Sequence, residues 1–377
     1  MDHARQVELI EKVLARLDQR GSDMAGEATE IPVADYLSPD RLEREQRMIR
    51  RLPVVVGFAS QVAAPGDFFT HDHSGVPLLV ARDREGKLGA FLNACRHRGT
   101  RLEDAPCGSG KKGFVCPYHA WAYGTDGRLL AVPHREGFPG LDLSTRGLVR
   151  LPAAERHGLV FVQAAPGDPL AIDDYLRPFG EDFQGFDLGS HVLFAPSTRT
   201  VQMNWKLMLD GSFETYHFRT THARTIAPLF FDNQGVFDFG EPHLRMVLPK
   251  RSIESLRGAE RASWRIREHA NLLYGLFPNT VVLVQPDHAM VVTTWPVALD
   301  RSVLVAGMLI PEPPKTPKAE AHWLLNEKIF WDAITEDLTM GERIQATLRS
   351  GANEHLLTAR YEHLIPRVHE AIARRAT

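Results

Sequence analysis

The chain has 377 residues, of which 44% are hydrophobic and 24% charged, an ordinary mixture large enough for two globular domains. The formal net charge of −3 gives no basic footprint for nucleic acid, and no apolar run is long enough to cross a membrane. Three cysteines leave no disulfide framework and the N-terminus has no signal peptide, so we expect a cytoplasmic protein.

The first half of the chain predicts a helix followed by a small β domain. Apolar residues from Ile10 to Leu17 recur at spacings of three and four, which is typical of an amphipathic helix. From Val54 to Ala165, short β-rich runs alternate with Gly, Pro and Asp turns. The clearest predicted strands are Leu78–Arg82, Leu88–Leu92 and Gly158–Gln163. We expect residues 1–45 to form a helical segment and residues 46–165 an antiparallel β domain.

Four potential metal ligands lie within this β domain: Cys95, His97, Cys116 and His119. A zinc finger usually groups like ligands, whereas here each cysteine is paired with a histidine. The alternating order favours a [2Fe–2S] cluster in which two histidines replace two cysteines on one iron. Cys95 and Cys116 would then bind one iron, and His97 and His119 the other. A Cys₂His₂ zinc site or unrelated core residues are the alternatives.

A second candidate metal site lies about a hundred residues further on, in the segment 204–222. His217 and His222 are close enough to supply two ligands from the end of a helix and the following turn. Non-haem Fe(II) oxygenases bind iron through two histidines and one carboxylate. Such a pair also arises by chance, and alone it would favour a structural role. Beside a cluster motif it favours iron.

The second half predicts a sheet followed by helices. Predicted strands cover Ser190–Ala195, Thr280–Gln285, Ala289–Trp295 and Ser302–Ile310. Pro311–Pro317 ends the last strand, and two helical segments follow at roughly 318–349 and 354–375. We expect residues 166–377 to form a second domain, on which residues 1–45 pack.

The metal segments resemble those of the Rieske non-haem iron (ring-hydroxylating) oxygenases, specifically the terminal oxygenase α subunit. The resemblance rests on Cys95–Gly99, on Cys116–Tyr123, on the Asn-Trp-Lys at 204–206 and on Glu214–His217. Ala120 stands where the family usually has glycine. The resemblance implies an α+β fold. A small antiparallel β Rieske domain would precede a catalytic domain whose antiparallel sheet grips a long C-terminal helix.

The same resemblance implies the third iron ligand. In the family the ligand aspartate precedes a Glu by five residues and a Gln by eight. Asp337 fits both offsets, with Glu342 and Gln345. Glu336 is the second choice and Asp332 a further rival, since acidic residues on a helix usually face water.

Two more acids precede the histidine pair. Glu214 lies three residues before His217, where the family places an acid that bridges to the Rieske histidine of the neighbouring subunit. Asp210 is a weaker candidate, either as a partner of a ligand histidine or as a helix-start residue. We therefore expect Glu214 to have a role in electron transfer between subunits.

The resemblance also implies activity, cofactors and partners. The cofactors would be a [2Fe–2S] Rieske cluster and mononuclear Fe(II). A separate NAD(P)H-dependent reductase, with or without a ferredoxin, would supply electrons to a homotrimer, α3 or α3β3. The enzyme would use O₂ to hydroxylate or oxidatively demethylate a small organic substrate such as an aromatic compound, as in aromatic hydrocarbon catabolism. The alternatives are a Rieske-type electron carrier without oxygenase activity and a zinc-stabilised binding module.

Apolar residues near the second site are candidates for the substrate pocket, because such pockets have mostly apolar walls. They are Ile226, Leu229, Phe230, Phe231, Phe277, Val284, His288 and Val292. Aromatic acids, methylated aromatic ethers and quaternary amines are all compatible with these residues.

Overall fold

A computed structural model describes residues 1–377, which form two compact units. One unit consists of residues 46–174. The other consists of residues 1–45 together with residues 175–377.

The unit formed by residues 46–174 is built from three antiparallel sheets. The first has five strands in the spatial order Arg150–Leu151, Leu88–Leu92, Leu78–Arg82, Phe68–His71 and Cys107–Gly108. The second consists of Ala153–Arg156, Leu159–Val162 and Val54–Phe58. The third consists of Gly113–Val115, Ala122–Gly124 and Leu129–Ala131. Phe68, Phe91, Phe114 and Tyr123 are buried at the centre of this unit.

The other unit is organised around a seven-stranded antiparallel sheet. Its strands, in spatial order, are Val192–Val201, Arg301–Ile310, Ala289–Ala298, Thr280–Val284, Ala270–Leu276, His243–Pro249 and Val236–Gly240. The central strand Thr280–Val284 has the sequence Thr-Val-Val-Leu-Val and is almost wholly buried. Consecutive β-branched and leucine residues are typical of a strand covered on both faces.

Helices surround this sheet. They are His3–Asp18, Ala34–Leu37, Gly180–Gln184, Trp205–Ser212, Phe218–Thr221, Ile266–His269, Pro317–Thr347 and Leu364–Arg375. Two further helices, Pro39–Arg51 and Ile172–Leu176, each include residues of both units. None of the helices combines the length and apolar character that a bilayer span requires.

The helix Pro317–Thr347, hereafter the long helix, begins at residues that favour a helix start. The Thr316 hydroxyl accepts the Ala319 N–H at 3.2 Å, and proline occupies the first helical position. The helix contacts the edge strand Val192–Val201, where the Arg199 guanidinium carbon lies 3.5 Å from the centre of the Trp331 ring. The predicted α+β architecture, an antiparallel sheet with a long C-terminal helix, is confirmed.

Two predicted elements differ from the structure. The segment 354–375 is helical only at Leu364–Arg375, because His355–Thr358 is a strand. That strand pairs with Thr29–Pro32, so the N-terminal segment is not helical throughout either. Both strands are short, and each obtains its backbone hydrogen bonds from a partner more than three hundred residues away. Local periodicity contains no information about such a partner.

Candidate metal centres and substrate cavity

Three side chains converge beside the long helix. His217 and His222 flank the short helix Phe218–Thr221, and Asp337 projects from the long helix. The two histidine Nε2 atoms lie 3.1 Å apart, and Asp337 Oδ1 lies 3.0 Å from His222 Nε2 and 3.4 Å from His217 Nε2. The predicted trio thus forms a compact group of potential metal ligands.

The chemistry of this trio fits a metal ion. Three ligands about 2.1 Å from one ion, on one face of an octahedron, would be about 3 Å apart, close to the separations observed here. The outer nitrogen of each ring faces a carboxylate: His217 Nδ1 contacts Glu214 Oε1, and His222 Nδ1 lies 2.8 Å from Glu336 Oε2. A carboxylate accepts, so both Nδ1 atoms carry hydrogen. Each Nε2 is then the ring nitrogen available to a metal, and it becomes a ligand when it carries no proton.

The structure distinguishes the rival acids on the long helix. Asp337 reaches the two Nε2 atoms, whereas Glu336 lies behind His222 and also accepts the Thr225 hydroxyl at 2.7 Å. Asp332 pairs with Lys328 on an exposed part of the helix. Adjacent residues on a helix point about 100° apart, so only one of two neighbouring acids can face the same point. The sequence alone gave no sign that Glu336 would orient a histidine.

The electrostatic environment of His222 favours a positive charge. Burial disfavours the imidazolium, but hydrogen bonds and charge from Asp337 and then Glu336 outweigh it and raise the pKa of His222. A metal ion at the same point would replace that proton. The group of carboxylates is therefore suited to balancing the charge of a divalent cation.

Glu342 and Gln345, five and eight residues after Asp337, hold the long helix in position through hydrogen bonds. Glu342 Oε1 accepts the Gln202 N–H at 2.8 Å, and Gln345 Oε1 accepts the Asn204 N–H at 2.8 Å. These bonds tie the long helix to the start of the helix Trp205–Ser212. Because Asn204 caps that helix, the contacts help to place Asp337 opposite the histidines.

Asp210 lies in the last turn of the helix Trp205–Ser212 and not at a helix start. Its carboxylate accepts the Tyr36 hydroxyl at 2.7 Å and lies 2.8 Å from His369 Nε2. Its histidine partner is therefore His369 on the C-terminal helix, and the expected contact with a metal-site histidine is not found. No sequence motif signals the contact with His369.

The four predicted cluster residues also come together. Cys95 and Cys116 are buried, and the rings of His97 and His119 lie 4.8 Å apart. His119 Nδ1 is a buried nitrogen without a hydrogen-bond partner. Leaving such a nitrogen unpaired is costly unless a metal completes it, so the donor set fits the cluster. Cys107 is exposed and lies on a separate strand.

The two cluster loops have the same backbone design. Cys95 N–H donates to Thr100 and Cys116 N–H to Trp121, each at 2.8 Å to the carbonyl oxygen. Each loop contains one residue in the left-handed region, Gly99 with φ of 79° and Ala120 with φ of 56°. This conformation explains why glycine is the expected residue at position 120.

Aromatic side chains support the cluster residues. His97 stacks on Trp121 with ring centres 4.9 Å apart and an interplanar angle of 8°. The Tyr123 hydroxyl lies 3.3 Å from Cys95 Sγ and accepts the Arg96 N–H at 2.9 Å. Burial, followed by the Cys95 contact, raises the pKa of Tyr123, which therefore stays protonated and can donate to the sulfur.

A cavity of about 130 Å³ opens beside the histidine–aspartate trio. Most of its wall is apolar, and the contributing residues are Met208, Phe218, Ile226, Phe230, Leu248, Leu273, Val281, Leu283, Met290, Val292, Ile329, Phe330, Ala333 and Ile334. A concave apolar wall next to a reactive group is typical of a small-molecule site.

Only some of the expected wall residues line this cavity. Ile226, Phe230 and Val292 do, but Leu229 is exposed. The remaining predicted residues, namely Phe231, Phe277, Val284 and His288, do not contribute to the wall. The prediction for Val284 is wrong because successive residues of a strand face opposite sides of the sheet. Val281 and Leu283 face the cavity, so the alternate residues of that strand face the other way.

A second and larger cavity of about 490 Å³, hereafter the wider cavity, also borders His217 and Asp337. Both cavities are lined by Glu214, His217 and Asp337. These three residues therefore border both the apolar cavity and the wider cavity, and the lining of the wider cavity also includes Tyr36 and Glu362.

Comparison with known families gives two matches. Residues 188–377 match the ring hydroxylating alpha subunit (catalytic domain), and residues 53–145 match the Rieske [2Fe-2S] domain.

Among related sequences, the glycine betaine monooxygenase oxygenase subunit of Chromohalobacter salexigens is 34% identical over 200 residues, which are 53% of this chain and 44% of that protein. Choline monooxygenase of Spinacia oleracea is 34% identical over 53% of this chain and 47% of that protein. The chlorobenzene dioxygenase alpha subunit of Cupriavidus is 33% identical over 49% and 42%. The chain thus matches less than half the length of these relatives.

Solved structures share the fold. A quaternary ammonium Rieske monooxygenase in complex with L-carnitine superposes with a TM-score of 0.79 at 21% identity, covering 94% of this chain and 97% of that chain. Naphthalene 1,2-dioxygenase from Rhodococcus, bound to indole, gives a TM-score of 0.75 at 19% identity and covers 98% of each chain.

Proposed function

This chain belongs to the ring-hydroxylating oxygenase alpha subunits, and from that membership we propose that it is the terminal oxygenase of a multicomponent Rieske system. The observation that carries the proposal is the trio His217, His222 and Asp337, placed at the wall of an apolar cavity. A Rieske-type carrier that only passes electrons has no need of a second metal site facing a cavity.

Two metal groups are implied, a Rieske [2Fe–2S] cluster and a mononuclear iron. Cys95, His97, Cys116 and His119 would hold the cluster, and the trio would hold the iron. When bound, the cluster supplies electrons one at a time and the iron supplies open coordination positions for O₂.

The protein side chains orient and enclose this chemistry. Glu214 and Glu336 keep a proton on the Nδ1 atoms of His217 and His222, which directs both Nε2 atoms toward the metal. The apolar cavity wall excludes bulk water from the substrate. It also holds the carbon to be oxidised close to the trio.

Glu214 is proposed to link the two metal groups across a subunit boundary in a homotrimer, with or without a β subunit. In support, Glu214 contacts His217 and also lines the wider cavity, so it is not enclosed by the apolar cavity alone. A separate NAD(P)H-dependent reductase, with or without a ferredoxin, would supply the electrons.

For the substrate, we propose a small N-methylated or quaternary ammonium compound that is hydroxylated or oxidatively demethylated. Relatives named as glycine betaine and choline monooxygenases support this class. Phe218, Phe230 and Phe330 in the cavity wall can stabilise a cation, and no lysine or arginine lines the cavity. A neutral aromatic substrate is the second candidate, supported by the apolar wall and by the chlorobenzene dioxygenase relative.

The test is O₂ consumption by the purified, iron-loaded protein with a surrogate reductase and NAD(P)H. Choline, glycine betaine, chlorobenzene and benzoate would be compared for O₂ uptake matched by an equal amount of product. Mononuclear iron beyond the two irons of the cluster is expected. Its absence would favour an electron carrier, and a colourless zinc protein would favour a binding module.

A further inference from the structure

Three carboxamide side chains line one part of the apolar cavity: Asn271, Gln285 and Asn326. Asn271 lies on the strand Ala270–Leu276. Gln285 follows the neighbouring strand, whose pairing of Leu272 with Val284 places Gln285 next to Asn271. Asn326 is on the long helix, three turns before Asp337, which corresponds to about 16 Å along the axis. The amides therefore lie at the end of the cavity remote from the metal ligands.

A chain of hydrogen bonds connects two of these amides. Gln285 Nε2 lies 2.8 Å from His288 Nε2, and His288 Nδ1 lies 2.7 Å from Asp287 Oδ1. The other carboxylate oxygen of Asp287 lies 3.1 Å from His322 Nε2, and Asn326 Nδ2 donates to the His322 carbonyl at 2.9 Å. This polar network explains why both amides come to the same end of the pocket.

The network determines which amide atoms are engaged. A carboxylate only accepts, so His288 Nδ1 carries hydrogen, and burial lowers the pKa of His288 and keeps the ring neutral. His288 Nε2 must then accept, which requires the NH₂ of Gln285 at that contact. The His322 carbonyl likewise requires the NH₂ of Asn326. The amide oxygens of Gln285 and Asn326 are left for a ligand.

The third amide provides an independent observation. Asn271 Oδ1 is buried and has no hydrogen-bond partner. A buried acceptor without a donor is unfavourable, and a ligand that donates a hydrogen bond to it removes this cost. The distal end of the cavity therefore has three amide oxygens that can accept a hydrogen bond from a ligand, and its lining includes no lysine or arginine to pair with an anion.

We propose that Asn271, Gln285 and Asn326 determine substrate specificity by binding a hydrogen-bond donor of the substrate, a hydroxyl or N–H group, at the end remote from the oxidised carbon. The inference rests on the proposed function, because it takes this cavity as the substrate site. It selects a hydroxyl-bearing ammonium substrate over one bearing a carboxylate. His288 acts through Gln285 as a positioning residue.

The test is equilibrium binding to the holoenzyme without O₂, measured by titration calorimetry. The probes are hydroxyalkyl-trimethylammonium ions of increasing chain length, with alkyl and carboxyalkyl analogues of matched length. At the best length, the hydroxyl compound should bind about tenfold more tightly than the alkyl one, and the carboxylate should bind worst. An alkyl compound that binds equally well, or a carboxylate that binds best, overturns the proposal.

Variants locate the effect. Asn271→Leu and Gln285→Leu should each reduce the hydroxyl preference severalfold while leaving the affinity for the alkyl compound nearly unchanged. His288→Phe should do the same, whereas His288→Gln, which retains an acceptor for Gln285, should restore the preference. Gln19→Leu removes an exposed amide outside the cavity and should keep the full preference. A preference that survives both leucine substitutions contradicts the assignment.

A failed substrate class can be distinguished from a failed amide assignment. If no trimethylammonium compound binds, the proposed substrate class is wrong, and neutral tert-butyl alcohols are compared with the matching alkanes. A hydroxyl preference in that series retains the three amides as the donor-binding end. If neither series shows a preference for the hydroxyl compound, the assignment of the three amides as the donor-binding end is wrong.

Discussion

His222 Nε2 and Asp337 Oδ1 lie 3.0 Å apart, although one residue follows a short helix and the other lies deep in the long helix. The contact is completed by His217, whose Nε2 is 3.1 Å from that of His222. Three atoms at these separations could together hold one metal ion, and they border the apolar cavity. The first two predictions follow from this arrangement.

Asp337→Ala should remove the mononuclear iron and all oxygenation but leave the Rieske spectrum intact, because the two sites have separate ligands. Iron content should fall from about three to about two per chain, measured together with the visible spectrum. Asp332→Ala, which changes an exposed acid on the same helix, is the control. Loss of iron in Glu336→Ala but not in Asp337→Ala would transfer the ligand role to Glu336.

Glu336→Leu should weaken iron binding without abolishing it. The carboxylate at 2.8 Å holds His222 Nδ1–H, and loss of such a partner typically costs about 10- to 100-fold in metal affinity. Competition with a chelator at fixed pH measures this change. Unaltered iron affinity would show that Thr225 and the surrounding packing suffice to hold the ring.

His119→Ala should abolish the visible spectrum and the low-g electron resonance of the Rieske cluster, because one iron would lose a ligand. Cys107→Ala, at an exposed cysteine outside the cluster loops, should change neither signal. A normal spectrum in His119→Ala would contradict the proposed ligand set.

Glu214→Gln should leave both metals bound yet greatly slow turnover. The amide oxygen can still accept from His217 Nδ1, but the charge that we propose links the two metal groups is lost. Rapid mixing of the reduced enzyme with substrate and O₂ would report the rate of cluster reoxidation. Glu362→Gln, at another acid of the wider cavity, is the matched control. Reoxidation at the wild-type rate in Glu214→Gln would show that Glu214 only orients His217 and has no role in electron transfer.

Folding stability should decline in mild acid because of His243. Burial lowers its pKa to about 4, while its Nδ1 accepts the Phe277 N–H at 3.0 Å. The unfolded chain, with an ordinary pKa near 6.5, binds the proton more readily, so stability is complete above pH 6.5 and falls as pH drops toward 4.

Urea unfolding at pH 7 and pH 5 measures this effect. The contribution of His243 to the difference should be roughly 2 kcal/mol, obtained by comparing the wild type with His243→Gln. An identical pH dependence in both proteins would show that His243 is not the group that takes up the proton.

The sequence by itself determined the parts of the protein that depend on short spacing. Cys95 and His97, or His217 and His222, lie close together in any compact fold because few residues separate them. The amphipathic first helix and most strands of the large sheet were also predictable, since the period of the buried residues is a local property. Asp337 could be predicted from the sequence only because its spacings along the chain to Glu342 and Gln345 match those of a known family.

Tertiary structure alone decided the rest. Glu336 and Asp337 are chemically similar neighbours, and only the rotation of the long helix determines which of them faces the histidine Nε2 atoms. Asn271 is in a strand, Gln285 directly follows the neighbouring strand and Asn326 is in a helix, and no motif connects them. Their grouping depends on strand register and on the hydrogen bonds through Asp287. Such contacts join residues distant in sequence, so their physical cause is the packed fold and not any local pattern.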